Sequence, residues 1–414
     1  MIGPDGYARE GYPHAAWRRL RRESPIHWFD LPDGVGFWAV TRRADIVWLS
    51  KQPNRFVNAP RLAIFEGGAP VEGERTFIRQ LLNMDPPDHT LYRNAASGWF
   101  TPRAIGRREP EVRRIAGELL DEMAGDGELR EGDFVTDLAA PLTLGVLADM
   151  LGVPRADWPR MFAWTNRVAG SADPEFSGEL AASGGAVPPF EQTRNELFAY
   201  FAALAEDRRK TPRDDIVSVL SRAEIRGAPM PGLELLSYFM LLVVAGNETT
   251  RNAASGGLLA LIENPGELAQ LRADPSLVPT AVEEIVRWTS PVIQFCRTAV
   301  EDVELRGRRI RRGDAFCLFY PSANRDESVF ADPDVFRVDR RPNPHIGFGI
   351  GEHFCLGANL ARLELRVIFE ELAKRLESIE LAGPFERMRS SFLGGVKRMP
   401  IRYRMRPVRA GRRD

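Results

Sequence analysis

Cys355 closes the stretch His345-Ile-Gly-Phe-Gly-Ile-Gly-Glu-His-Phe-Cys355, with Gly347, Gly349 and Gly351 at alternate positions ahead of it. Beyond it Leu360, Leu363, Val367, Ile368, Leu372 and Leu376 recur at helical spacing, which predicts a helix over 356–376 with the cysteine at or just before its start. Unpaired N–H groups and the positive dipole end there favour a thiolate over a thiol. The glycines permit left-handed turns and let the loop lie flat against a broad partner, one face of which Phe348 would cover. A soft sulfur ligand beside a planar partner suits the iron of a haem. The plainer alternative is a buried cysteine ahead of an ordinary helix.

Three further groups carry chemistry by type and spacing. Ala245-Gly246-Asn247-Glu248-Thr249-Thr250 lies at the centre of 234–262, a helical stretch apolar on nearly all sides and therefore buried. An acid beside an alcohol suits neither a helix nor a core, and local rules tend to break at functional sites. A kinked helix with Thr249 bonded back to the preceding turn accounts for the same residues. His89 and Arg93 lie four apart after the helix-start signal Asp85-Pro-Pro87, so they share a face and could clamp a carboxylate; a solvated face is the ordinary outcome. Glu284 and Arg287, three apart, are a common helix pair of little worth when exposed.

Phe348-Gly349-x-Gly351-x-His353-x-Cys355-x-Gly357 resembles the cysteine loop of the cytochrome P-450 family, the haem-thiolate monooxygenases, with every fixed position present. The resemblance runs from the first strand to the C-terminus. It implies a mainly α fold with a smaller β-rich part, a triangular prism-like helical domain whose long central helix crosses the haem. One catalytic domain would span 1–414, its β-rich part at approximately 25–58, 291–320 and 385–406. The implied cofactor is haem b, iron protoporphyrin IX, with Cys355 as the iron ligand and Phe348, Gly349 and Gly357 around it. The same resemblance makes His89, Arg93, Arg297 and His353 anchors for the haem propionates. It places Ala245 and Gly246 on the oxygen side, Gly246 leaving room for the diatomic, Thr249 hydrogen-bonding it and Glu248 linking it to bulk water. Glu284 and Arg287 would join Arg340 in a buried, structural ion network. The implied reaction inserts one atom of O2 into a C–H bond of a lipophilic small molecule and reduces the other to water. Electrons from NAD(P)H would arrive through a ferredoxin and its reductase, since nothing here resembles a flavin or iron–sulfur domain. Peroxide-driven hydroxylation and a haem-based gas sensor are the rival readings, and no DNA-reading or signalling module is left over for the sensor.

These groups need elements to hold them. Residues 25–30 and 37–41 read as a β-hairpin around Leu31-Pro-Asp-Gly34, and 44–50 as a short helix. Residues 56–77 show neither period and read as an irregular loop that, by resemblance, roofs the pocket or merely connects. Amphipathic helices follow at 112–123 and 138–151, and the Gly/Ala/Pro stretch 171–189 is a mobile lid or a surface loop. Residues 291–298 read as a strand, 303–320 as short strands and 392–403 as a last hairpin whose tip reaches the pocket. Leu62, Phe65, Val292, Ile293 and Phe392 are the expected substrate walls. They are apolar, which suits a steroid, fatty acid or terpenoid. Residues 247–252 and 392–397 are similar to segments of bacterial members that oxidise steroids and branched or linear lipids.

Bulk properties narrow the partners. With 44% hydrophobic residues and 27% charged the composition is globular, and 56 basic against 57 acidic side chains leave no field for nucleic acid or an anionic membrane. Three cysteines are too few for a disulfide framework, so a reducing cytoplasm is expected, with Cys296 and Cys317 as plain strand or core residues. The N-terminus lacks the apolar core of a signal peptide. The most apolar run, 235–246, falls short of the roughly 20 residues a membrane span requires, so no membrane anchor is expected. A monomer is expected, and Arg341, Arg362 and Arg366 near the cysteine loop could dock an acidic ferredoxin.

Overall fold

In this computed structural model, which describes residues 1–31, 36–65, 78–169, 173–176 and 189–407, the first hairpin forms as expected. Strand β1 (Ile26–Phe29) pairs antiparallel with β2 (Phe37–Val40), followed by α1 (Arg43–Ser50) and β3 (Phe56–Val57). Helices α2 (Asp88–Ser97), α3 (Pro102–Gly106) and α4 (Glu109–Ala124) lead to β4 (Leu129–Asp133), α5 (Ala140–Leu151), α6 (Trp158–Ala169) and α7 (Pro189–Lys210). Helix α4 starts at Glu109, with Pro110 and Glu111 completing a favourable first turn, and stops at Gly125 with φ 50°, burying the stripe Val112, Ile115, Ala116, Leu120 and Met123.

The 32-residue helix α8 (Gly232–Glu263) runs through the core, packed by α5, α6, α7, α9 (Val278–Thr289) and α10 (Ala358–Arg375). Its apolar residues are buried on several sides, as an all-round apolar helix requires. Strands β5 (Gln294–Ala299) and β6 (Ala315–Phe319) complete a sheet ordered β1-β2-β6-β5-β3. Central β6, Ala-Phe-Cys-Leu-Phe, is buried at every position and aligns Cys317 with Cys296 of β5. Both cysteines are free and buried, as expected of core residues. Among the described residues no helix is long and apolar enough to cross a membrane.

The last hairpin does not form as expected. Strand β7 (Leu376–Leu381) pairs with β10 (Pro400–Met405), β10 also pairs with β4, and β8 (Glu386–Arg387) pairs with β9 (Val396–Arg398) in a separate sheet. Pro400 lacks the N–H that would carry one ladder through, and the chain changes sheets there. The β-rich part thus also takes in 129–133 and 376–381. The hairpin turn 32–35, residues 66–77 of the roof loop and most of the 171–189 stretch lie outside the described residues.

Candidate active site

The Cys355 N–H donates to Phe348 O at 2.8 Å and the Gly349 N–H to Ile346 O at 2.9 Å, closing a tight loop. Gly349 and Gly351 have φ of 72° and 80°, and a Cβ on Gly351 would lie 2.4 Å from the Ser50 carbonyl at the end of α1, so both positions demand glycine. Helix α10 begins at Ala358, three residues after the cysteine. Burial pushes the Cys355 thiol up, and this outweighs the Gly357 N–H bonded to the sulfur and the charges of Arg93 and Arg362. The Gly357 N–H and the two arginines thus favour the thiolate, as expected of the loop before a helix, against the opposing pull of desolvation. At Gly357 an added Cβ would meet no atom within 4 Å, so the backbone beside the sulfur opens on free space. The Arg362 guanidinium lies 4.5 Å from the Phe348 ring centroid and donates to Glu283 at 2.6 and 2.9 Å, bracing the loop from behind.

His89, Arg93, Arg297 and His353 converge. The two imidazoles stack with centroids 3.9 Å apart. Asn58 Nδ2, which also donates to Asp85 at 2.9 Å, donates to His353 Nε2 at 2.7 Å, and the other ring nitrogen is left for the Met84 carbonyl. Burial and then Arg93 pull His89 down to about 4. Burial, Arg297, His89 and Arg93 pull His353 down to about 2, so both rings are neutral. Arg93 donates to Phe354 O at 2.6 Å and Arg297 to Cys296 O at 2.7 Å, and neither has a carboxylate partner among the described residues. His89 Nε2 is buried without a partner. Two uncompensated guanidiniums and an unused imidazole nitrogen around one spot fit an anionic ligand, and carboxylates match the fork of arginine. With the thiol and the space at Gly357, the residues present fit a haem.

Across the fold, Ala245 is exposed and Thr249 half-buried within otherwise buried α8, and the two share a face at i, i+4. Thr249 Oγ1 donates back to Ala245 O at 2.9 Å. A Cβ on Gly246 would come within 3.2 Å of Leu147 of α5, so this glycine also lets one helix seat on the other. Glu248 is fully buried beside Arg251, one oxygen unpartnered; burial raises its pKa against the pull of Arg251. Arg251 also donates to Asn166 of α6 at 3.0 Å. Glu248, expected to link the oxygen side to bulk water, is here held against buried Arg251. Asn247 accepts from Thr143 at 2.6 Å and donates to Thr165 at 3.0 Å, tying α8 to α5 and α6.

The five expected walls lie on neighbouring segments, and two of them, Phe65 and Phe392, meet ring to ring. The Ile293 N–H donates to Phe392 O at 2.8 Å, Val292 bridges Leu393, the Cys296 N–H donates to Leu62 O at 2.8 Å, and the rings of Phe65 and Phe392 lie 5.9 Å apart. Ile293 itself is fully buried in a cluster with Trp17, Ile64 and Phe319, so its side chain is core. Phe295, 5.5 Å from Phe392 and only half-buried, takes its place on the wall. Beneath the loop, Glu284, Arg287 and Arg340 bond one another at 2.6–3.0 Å with all three buried, the expected network. Of the three arginines expected to dock a donor, Arg362 is paired with Glu283 and Arg366 with Glu109 at 2.6 Å, while exposed Arg341 donates only to the Thr280 hydroxyl at 3.1 Å.

Sequence reasoning missed Arg251, Asn58 and Glu364. Glu364 of α10 is fully buried, and burial holds its pKa well up against the weaker pull of the neighbouring Thr250 hydroxyl. Its position between Leu363 and Leu365 in an apolar helix was the available signal.

A family model described as cytochrome P-450 matches residues 186–382. A methyl-branched lipid omega-hydroxylase of Mycobacterium tuberculosis is 42% identical over 94% of this chain and 90% of its own length. A steroid C26-monooxygenase of Mycolicibacterium smegmatis is 39% identical over 95% of this chain and 91% of its own. A Mycobacterium marinum cytochrome P-450 solved in complex with pseudoionone superposes with a TM-score of 0.87 at 37% identity, covering 97% of both chains.

Proposed function

The chain belongs to the cytochrome P-450 family and is a haem b monooxygenase, and on that premise we propose that it hydroxylates a branched hydrocarbon chain of the lipid, steroid or terpenoid kind. When bound, the haem supplies O2 activation and delivery of one oxygen atom to a C–H bond. The chain's own residues do the rest. Cys355 offers the sulfur, released from its raised pKa by coordination, with the Gly357 N–H bonded to it. His89, Arg93 and Arg297 take up the two propionates, and His353, fixed by Asn58, stacks behind His89. Thr249 leaves the Ala245 carbonyl to donate into the open face, and Glu248 resupplies its proton when it parts from Arg251. Leu62, Phe65, Val292, Phe295 and Phe392 exclude water and offer a substrate no charge to meet.

The single observation that carries this reading is Cys355 beside open space, facing an arginine–histidine cluster that lacks its anion. Reduced, haem-loaded protein under carbon monoxide should show the long-wavelength Soret band of thiolate coordination, and Cys355→Ser should abolish it. A band that persists in the variant refutes the assignment.

Electrons come, on this reading, from a separate acidic ferredoxin. A groove of about 240 Å³ runs between α3, α9 and α10. Arg362 and Arg366 line it, each paired with an acid; Arg103 and Arg107, next in sequence to its lining residues Pro102 and Gly106, are exposed and, among the described residues, without acidic partners. Arg103→Glu with Arg107→Glu should raise the apparent KM for ferredoxin, and an unchanged KM removes the docking site. Work as a monomer in a reducing cytoplasm belongs to the same proposal; the buried, unbridged Cys296 and Cys317 are in keeping with the compartment.

A further inference from the structure

Gln294 is a fully buried amide at the start of β5. A buried amide is costly unless its donors and acceptor are satisfied, and here they are. Oε1 accepts from the Ile64 N–H at 3.1 Å and from the Cys317 thiol at 2.8 Å. Nε2 donates to Ile64 O at 2.5 Å and, more weakly, to Ser391 O at 3.4 Å. One side chain thus bonds both backbone groups of Ile64, as a neighbouring strand would.

That substitution matters because residues 61–65 form no strand, and their backbone tie to β5 is the Cys296 N–H to Leu62 O. Ser391 immediately precedes Phe392, and Ile64 immediately precedes Phe65. The amide therefore sets the spacing of the two segments whose rings meet at 5.9 Å. It touches neither the cysteine loop nor the arginine–histidine cluster.

We propose that Gln294 is the positioning residue of the substrate wall, holding Phe65 against Phe392 through a side-chain clamp between residues 64 and 391. This rests on the reading of those two rings as pocket wall. Without the amide, the N–H and C=O of Ile64 are left buried and unpaired, and the segment must shift to satisfy them.

The test uses haem-loaded Gln294→Met, which keeps the side-chain length, and Cys317→Ala, which removes one donor to Oε1. Hydrogen exchange should lose protection at 62–65 in Gln294→Met. Pseudoionone, followed by its optical shift, should bind roughly tenfold or more weakly, the consequence of orphaning one buried pair. Imidazole, a small iron ligand that reaches the haem without leaning on the wall, should bind both proteins alike. Cys317→Ala should fall between them. Unchanged exchange at 62–65 overturns the clamp. Unchanged pseudoionone affinity, or equal weakening of pseudoionone and imidazole, overturns the positioning role. Phe65→Ala separates the two layers: if it leaves pseudoionone binding intact, the wall reading fails while the exchange data still decide the clamp.

Discussion

Replacing Glu284 by Gln is expected to lower the thermal unfolding midpoint by about 3–6 °C, a figure that follows from its bonds. The carboxylate accepts from Arg287 at 2.6 and 2.7 Å, from Arg340 at 3.0 Å, from the Arg337 N–H at 3.0 Å and from Asn343 at 3.2 Å. Both guanidiniums are buried, so one acid compensates two cations. Removing one partner of such a group costs about 3–5 kcal/mol, since the remaining charge stays buried. An unfolding entropy of about 2.1 cal/mol/K per residue gives about 0.9 kcal/mol/K for 414 residues, and the quotient is the stated shift. The arginines also donate to the carbonyls of Asn324, Ala331, Asp332, Pro333 and Val335, so the network anchors the chain leading to the cysteine loop. Calorimetry of the haem-loaded variant, with its carbon monoxide spectrum recorded alongside, reads both consequences. A midpoint within about 1 °C of wild type would mean that the pairs are no better than exposed ones and refute the reasoning.

Thr249→Ala removes the only hydroxyl on the open face of α8 between Ala245 and Thr249, so NADH consumption should continue while hydrogen peroxide replaces product. Undiminished coupled product formation would instead favour peroxide-driven or other chemistry that bypasses the alcohol. Burial pushes Glu283 up, but the bonds from Arg362 and His345 prevail and hold it down to about 2, against an ordinary 4.5. A depressed folded pKa stabilises above pH 4.5 and is lost as pH falls toward 2. The midpoint difference between wild type and Glu283→Gln should therefore be largest above pH 4.5 and shrink on acidification, and a difference that is flat with pH would show that the pair is not held by charge.

The parts of this molecule that were legible are those whose signal is local. Period 3.6 placed α10, a long run apolar on nearly all sides placed α8, and glycines at 349 and 351 announced left-handed turns that the fold does contain. Strand β4, Leu-Arg-Glu-Gly-Asp, gave no signal because it is an exposed edge that owes its form to β10. The errors share one cause: residue type tells what a side chain can do, whereas direction and partner come from distant chain. Ile293 is as apolar as Val292 yet points into the core, and Arg362 and Arg366 are cations whose acids lie 79 and 257 residues away. By the same logic the evidence for function is convergence: buried polar atoms without a partner also occur elsewhere in the fold, at Glu364 for one, but at His89, Arg93 and Arg297 an unpartnered imidazole nitrogen and two guanidiniums without a carboxylate partner among the described residues meet beside the cysteine loop, where Arg93 bonds Phe354 O. Two carboxylates of one ligand account for that coincidence of donor and charge, which isolated unpaired atoms do not require.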